Sequence, residues 1–181
     1  CMGILSIPSC AIKHADALAV FPGQEEDDRL RHTLRLWRHK KEEPHLFVGG
    51  LNPAEPSALS YTEESLAFPP YSLDKDNKKI HIQGITDNTK TQAAWLVESV
   101  SALHLERVAL CASVYHLIRA YLTVLKEMKK QGRWFKLFPV ATPIGLHESS
   151  QQYGHPMWRM IPGEVERLQR YQGIGDVATV E

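Results

Sequence analysis

The chain is predicted to be α/β: a three-layer, doubly wound sheet of about five mainly parallel strands with helices on both faces. Three observations predict it. Apolar runs of strand length recur five times along the 181 residues, each closed by turn residues. Most of these runs lead into helical periodicity, the alternation that builds a parallel sheet wrapped by helices. The first, fourth and fifth are continuously apolar, as strands covered on both faces should be. Together these features describe a parallel sheet wrapped by helices.

The elements follow in order. A first strand over Asp16 to Phe21 ends at Pro22-Gly23, and a helix over Glu25 to Lys41 sets Leu30, Leu34 and Trp37 on one stripe. A second strand, His45 to Val48, closes at Gly49-Gly50. Leu51 to Lys78 holds four prolines and the polar run DKDNKK, with a short helix over Tyr61 to Phe68. A third strand, Lys79 to Ile82, ends near Gly84 and precedes a helix over Thr89 to His104 with Ala93, Leu96, Val97 and Val100 on one face. The fourth strand, Arg107 to Ala112, feeds a helix over Tyr115 to Lys130 striped by Ile118, Tyr121, Leu122, Leu125 and Met128. The fifth spans Trp134 to Val140. Ala141 to Pro162 is loop, carrying Tyr153, His155 and Trp158, and a last helix runs from Gly163 to Tyr171 with Pro162 and Glu164 as start signals and Gly173 as its stop. Both long irregular stretches follow strands, so both are candidate lids at the carboxyl edge of the sheet.

The length suits one domain, 1–181, with a sheet core over about 17–140 and a C-terminal loop and helix over 141–181. Lys plus Arg number 21 and Asp plus Glu number 21, so there is no global field to draw the chain to nucleic acid or a membrane surface. Any anion recognition must be local. Three cysteines, Cys1, Cys10 and Cys111, lack metal-ligand spacing, and Cys111 falls inside an apolar strand, which reads as a buried thiol in a reduced compartment. The opening CMGILSIPSC is too short to span a bilayer and has no basic region before it, so a cytoplasmic location without a membrane anchor is expected. Cys1 ahead of Met2 suggests that Cys1 is not a natural initiator. His32 with His39, and His147 with His155, are spaced too widely for a ligand pattern, so no metal site is expected. There is no GxGxxG, no phosphate-binding loop ending in Gly-Lys-Ser/Thr and no GxSxG elbow, which removes the parts that common NAD, P-loop and α/β-hydrolase mechanisms require.

The segment Arg107 to Ala120, RVALCASVYHLIRA, is the most informative. An apolar strand stops at Ser113 and a helix begins, carrying His116 and Arg119 three apart on one face near its N-terminus. Free backbone N–H groups, the positive end of the helix dipole, a guanidinium and a titratable imidazole together suit an anion. The third strand leads into GITDNTKTQAA, where Thr86, Asp87 or Asn88 caps a helix and Asn88 and Thr89 present side chains on the ligand edge. Arg29 sits among Glu25, Glu26, Asp27 and Asp28, where a solvated charge cluster is the competing reading. His116 could equally be structural, and Arg119 could be paired to a carboxylate on a neighbouring helix.

An Asn-Thr helix start followed by a Ser-x-Tyr-His-x-x-Arg-Ala strand-to-helix junction resembles the SanA/ElyC/YdcF family, a Rossmann-like domain long of unknown function. The resemblance covers about Ala17 to Val140 and is most specific at Ser113, Tyr115, His116, Arg119 and Ala120. It also matches Pro22-Gly23 to a Gly-rich end of the first strand, Arg29 to an Arg opening the next helix, and Gly49-Gly50 to a Gly-Gly pair closing the second. Where the family usually has a Glu at the end of the third strand this chain has Gln83, with Thr86 for a Ser and Ala112 for a Thr. Chemistry relying on that Glu would lack its carboxylate here.

The resemblance implies a Rossmann-like sheet; if its strand order is of the 3-2-1-4-5 kind, a crevice lies where winding reverses between strands one and four. Gly23 and Arg29 would line one side and Ser113, His116 and Arg119 the other, with Gly49, Gly50, Asn88 and Thr89 along the same edge. Two arginines, a histidine and helix N-termini, converging without a fixed local acid, describe a phosphate or carboxylate receptor. The expected ligand is a small phosphorylated or nucleotide-like metabolite. If the chain acts on a phosphate ester or anhydride, His116 is the catalytic proton carrier. The resemblance leaves S-adenosylmethionine or magnesium open as cofactors, because one branch of the family is linked to S-adenosylmethionine. A third reading is a regulatory or assembly module whose partner surface comprises Phe68, Tyr71, Met157 and Trp158.

Overall fold

The computed structural model describes residues 10–23, 26–40, 42–55, 59, 61–145, 147–149 and 154–179. Its elements are α1 (Cys10–Lys13), β1 (Ala17–Val20), α2 (Asp27–Arg38), β2 (His45–Val48), α3 (Glu63–Ala67), β3 (Ile80–Ile82), α4 (Thr89–Ala102), β4 (Arg107–Ala112), α5 (Val114–Gln131), β5 (Lys136–Ala141) and α6 (Met160–Gly173). A 3-10 turn, Met157–Arg159, leads into α6. Among the described residues, no helix is long and apolar enough to cross a membrane.

The five strands form one all-parallel sheet in the order β3-β2-β1-β4-β5. Winding therefore reverses at β1 and β4, which lie side by side with Val20 opposite Cys111. Alternation along each strand divides the core in two. Leu18, Val20, Leu46, Val48, Ala109 and Cys111 face α2 and the α3 region, while Ala17, Ala19, Phe47, Val108 and Leu110 face α4 and α5. Burial on both faces explains why β1 is wholly apolar. Cys111 is a free thiol, and burial pushes its pKa up to about 12, which leaves it chemically inert at neutral pH.

Three expectations need correction here. Leu51 to Lys78 is not a lid along its length: Tyr61, Leu66, Tyr71 and Leu73 are buried in the α2-side core, and α3 is fixed by a capping box in which the Thr62 and Ser65 side chains each accept the other's backbone N–H. The proposed partner surface is broken for the same reason. Tyr71 and Met157 are buried and only Phe68 and Trp158 remain exposed. The α5 core stripe is also shifted, since Leu117, Ala120, Val124 and Met128 carry the packing while Ile118, Tyr121 and Leu125 are half-buried. A helix apolar around most of its girth offers two stripes of similar strength, and only the sheet position selects one.

The last helix begins at Met160, three residues before the expected start, with Pro162 inside its first turn where a missing N–H costs nothing. That earlier start matters, because α6 packs on α5 and brings its own side chains to the crevice. Tyr153 and Glu25 lie outside the described residues.

Candidate functional site

At the carboxyl ends of β1 and β4 the structure opens into a cavity of about 260 Å³. The position is the switch point at which open α/β sheets bind ligands. Of the residues expected there, Gly23, Arg29, Gly50, Asn88, Thr89, His116 and Arg119 line it. Gly49 and Ser113 do not line it and are buried just behind it.

Each glycine and cap has a local reason. Gly50 passes so close to the next turn that a Cβ would meet the Ile85 carbonyl carbon at 2.7 Å. Its N–H donates to Gln83 Oε1 at 3.0 Å, and its carbonyl accepts from Gln92 Nε2 at 2.8 Å. Gln83 thus acts as a clamp between the ends of β2 and β3, and its Nε2 also donates to the Thr91 carbonyl at 3.4 Å. Asn88 caps α4 by accepting from the Thr91 N–H at 3.1 Å.

Arg29 is neither a solvated surface charge nor a free anion clamp. It is 3% exposed, and its guanidinium is tied up in a buried network. Nε donates to Ser113 Oγ at 2.7 Å, Nη1 to the Phe21 carbonyl at 3.1 Å and Nη2 to the Tyr115 hydroxyl at 2.9 Å, and Nη2 is also in close contact with the Glu26 carboxylate. Glu26 in turn accepts from Ser113 Oγ at 3.0 Å and from the Tyr115 hydroxyl at 2.6 Å. Burial opposes the Arg29 charge, but the Tyr115 and Glu26 oxygens outweigh it and hold the guanidinium pKa above its ordinary value. This network bolts the β1–α2 turn to the start of α5. It also explains why Ser113, although it is the N-cap position of α5, makes no side-chain cap.

A second acid, Glu164 of α6, organises the other wall. Arg119 donates to it twice, Nε to Oε2 at 2.6 Å and Nη2 to Oε1 at 3.2 Å, and Arg167 Nη1 donates to Oε1 at 2.7 Å. Arg119 Nη1 also donates to Thr89 Oγ1 at 3.0 Å. These three bonds leave two of the five guanidinium N–H groups of Arg119 uncommitted among the described residues. The expectation of a site without a fixed local acid is therefore wrong twice, at Glu26 and at Glu164. Glu26 and Arg29 were visible as an i,i+3 pair, whereas nothing local in the sequence connects Glu164 to Arg119, 45 positions away.

His116 sits between the two networks, 5% exposed, with Nδ1 at 4.0 Å from Glu164 Oε2. Burial lowers its pKa well below the ordinary histidine value, and the charges of Arg119, Arg29 and Arg167 lower it further. The imidazole is neutral at physiological pH. Beside it, in the α5–α6 wall, the guanidinium groups of Arg119 and Arg167 both pair with Glu164. Farther out, Glu55 and Asp87 stand on the rim, and Asn52 Nδ2 donates to Glu55 Oε1 at 3.3 Å. Among the described residues no group of three or more His, Cys, Asp or Glu is arranged to hold a metal ion.

Compared with protein-family models, curated proteins and solved structures, the chain matches none.

The depressed histidines set a pH dependence. The unfolded chain takes up a proton near the ordinary histidine value of about 6.5 while folded His116 resists it, so the stability this group contributes is complete above that pH and is lost as pH falls below it. His32, His45 and His81 act in the same direction, each lowered first by burial. Stability measured by urea melts should fall between pH 7 and pH 5, and less steeply in His116→Gln. Identical slopes would mean that His116 is as easily protonated in the folded as in the unfolded chain.

Proposed function

We propose that this chain binds a small metabolite bearing one phosphoryl or carboxylate group in the crevice between β1 and β4. The observation that carries the reading is the α5–α6 wall: Arg119 and Arg167 both pair with the buried Glu164, and among the described residues Arg119 keeps two N–H groups uncommitted beside a neutral His116. An anion there meets planar guanidinium donors suited to two oxygens. The SanA/ElyC/YdcF-like junction of Ser113, Tyr115, His116 and Arg119 supports the same edge of the sheet. If the ligand is a phosphate ester or anhydride that the protein cleaves or transfers, the neutral His116 is the proton carrier.

Size refines the ligand class. At about 260 Å³ the cavity is below the roughly 300–1,000 Å³ usual for drug-sized ligands. A compact sugar phosphate or similar metabolite fits it better than a whole S-adenosylmethionine. Glu55 lines the cavity but is a poor substitute for the acid that reads ribose hydroxyls at the end of the second strand in dinucleotide-binding folds, which weakens a nucleotide-like ligand.

The test is a thermal-shift screen against inorganic phosphate, pyrophosphate, sugar phosphates, nucleotides and S-adenosylmethionine, with and without magnesium. A true ligand at a hundredfold excess over its dissociation constant stabilises by about 2.7 kcal/mol, enough to register. A shift with phosphorylated metabolites supports the reading, and no shift with any of them overturns it.

A further inference from the structure

The crevice does not end at Arg119. A second cavity of about 120 Å³ lies on the far side of it, and Asn88, Thr89, Arg119 and Tyr171 line both. Lys90, Thr123, Asp176 and Val177 complete the smaller chamber. Arg119 is thus a shared wall: its Nη1 bonds Thr89 Oγ1 on one side, and its guanidinium lies 5.9 Å from the centre of the Tyr171 ring on the other. The outer wall is anchored. Lys90 Nζ pairs with Asp176 at 2.5 Å, the Ala178 N–H donates to the Leu122 carbonyl at 3.2 Å, and Val177 is buried.

We infer that the ligand is a doubly substituted phosphoryl group, a phosphodiester or phosphoanhydride, whose central anion lies at Arg119 with one substituent in each chamber. The inference rests on the anion-binding reading above and extends it from one chamber to two. A monoester or a carboxylate fills only the larger chamber and leaves the smaller one empty. The two chambers differ about twofold in volume, so the substituents are unequal. At about 30 Å³ per water-sized group, the smaller chamber takes a substituent of roughly four non-hydrogen atoms. The Lys90–Asp176 pair presents both signs of charge there, which suits a short polar or zwitterionic group such as an amino alcohol.

The experiment titrates the protein calorimetrically with glycerol 3-phosphate and with its ethanolamine diester. The diester should bind about tenfold tighter, the gain expected from burying two methylene groups. Thr123→Leu, which fills the small chamber from α5, should abolish that gain and leave the monoester affinity unchanged. Lys90→Met provides the second variant should Thr123→Leu not fold, and it too should reduce the diester preference selectively. A diester that binds no tighter than the monoester, or variants that weaken both ligands equally, would overturn the two-chamber inference while leaving the anion site standing. Failure of both ligands to bind wild-type protein overturns both readings.

Discussion

Replacing Arg29 by Met is expected to destabilise the fold by about 3–5 kcal/mol, because it leaves the buried Glu26 carboxylate without its cation. For a chain of this size that corresponds to a fall in Tm of roughly 6–20 °C. The side chain is buried and four of its N–H contacts go to Ser113, Phe21, Tyr115 and Glu26, so its removal unties the β1–α2 turn from α5. The double variant Glu26→Leu with Arg29→Met removes both charges and should recover most of the loss. Urea melts of the two single variants and the double complete the cycle. A loss below about 1 kcal/mol for Arg29→Met would place the pair in the range of solvated surface ion pairs and contradict the buried network.

Arg119→Ala is expected to act in the opposite manner, costing binding far more than stability. Glu164 keeps Arg167 as a partner, so the buried carboxylate is not left alone. The anion, however, loses its planar donors. A hydrogen bond to a charged group contributes about 1.5–3 kcal/mol, so each bond lost weakens phosphate-ester affinity roughly tenfold to a hundredfold. Calorimetric titration beside a thermal melt measures both effects on the same sample. Unchanged affinity in Arg119→Ala would remove Arg119 from the site, and a melt as damaged as that of Arg29→Met would make it a structural residue instead.

The contrast between these arginines marks how far the sequence could be read. Continuous apolar runs at β1 and β4 signalled a sheet covered on both faces, and the five strands form one all-parallel sheet with a core on each side. His45–Val48 and Arg107–Ala112 have the expected bounds because turn residues delimit them sharply. Strand ends and helix N-termini fix where a parallel sheet exposes its ligand edge, so Gly50, Asn88, Thr89, His116 and Arg119 could be placed on one cavity from one-dimensional pattern. The state of each charge could not. Arg29 and Arg119 have the same chemistry, yet one is neutralised in the core by Glu26 while the other shares Glu164 with Arg167. That difference depends on α6 folding back across α5, a long-range packing event with no periodic signal at Glu164 to announce it. The Leu51 to Lys78 stretch was misread for a related reason. Proline-rich composition marks irregular backbone but not what it covers, and the segment holding Tyr61, Leu66 and Tyr71 covers the core rather than the crevice.

The central claim, that an anion is held at the α5–α6 wall beside a neutral imidazole, is tested most directly by NMR titration of the wild-type protein with glycerol 3-phosphate at neutral pH. The account predicts saturable shifts in the His116 ring and the Arg119 Nε–H resonances, with His116 retaining the spectrum of a neutral imidazole before ligand is added. Shifts confined to other residues, or a His116 already protonated at pH 7, would contradict it.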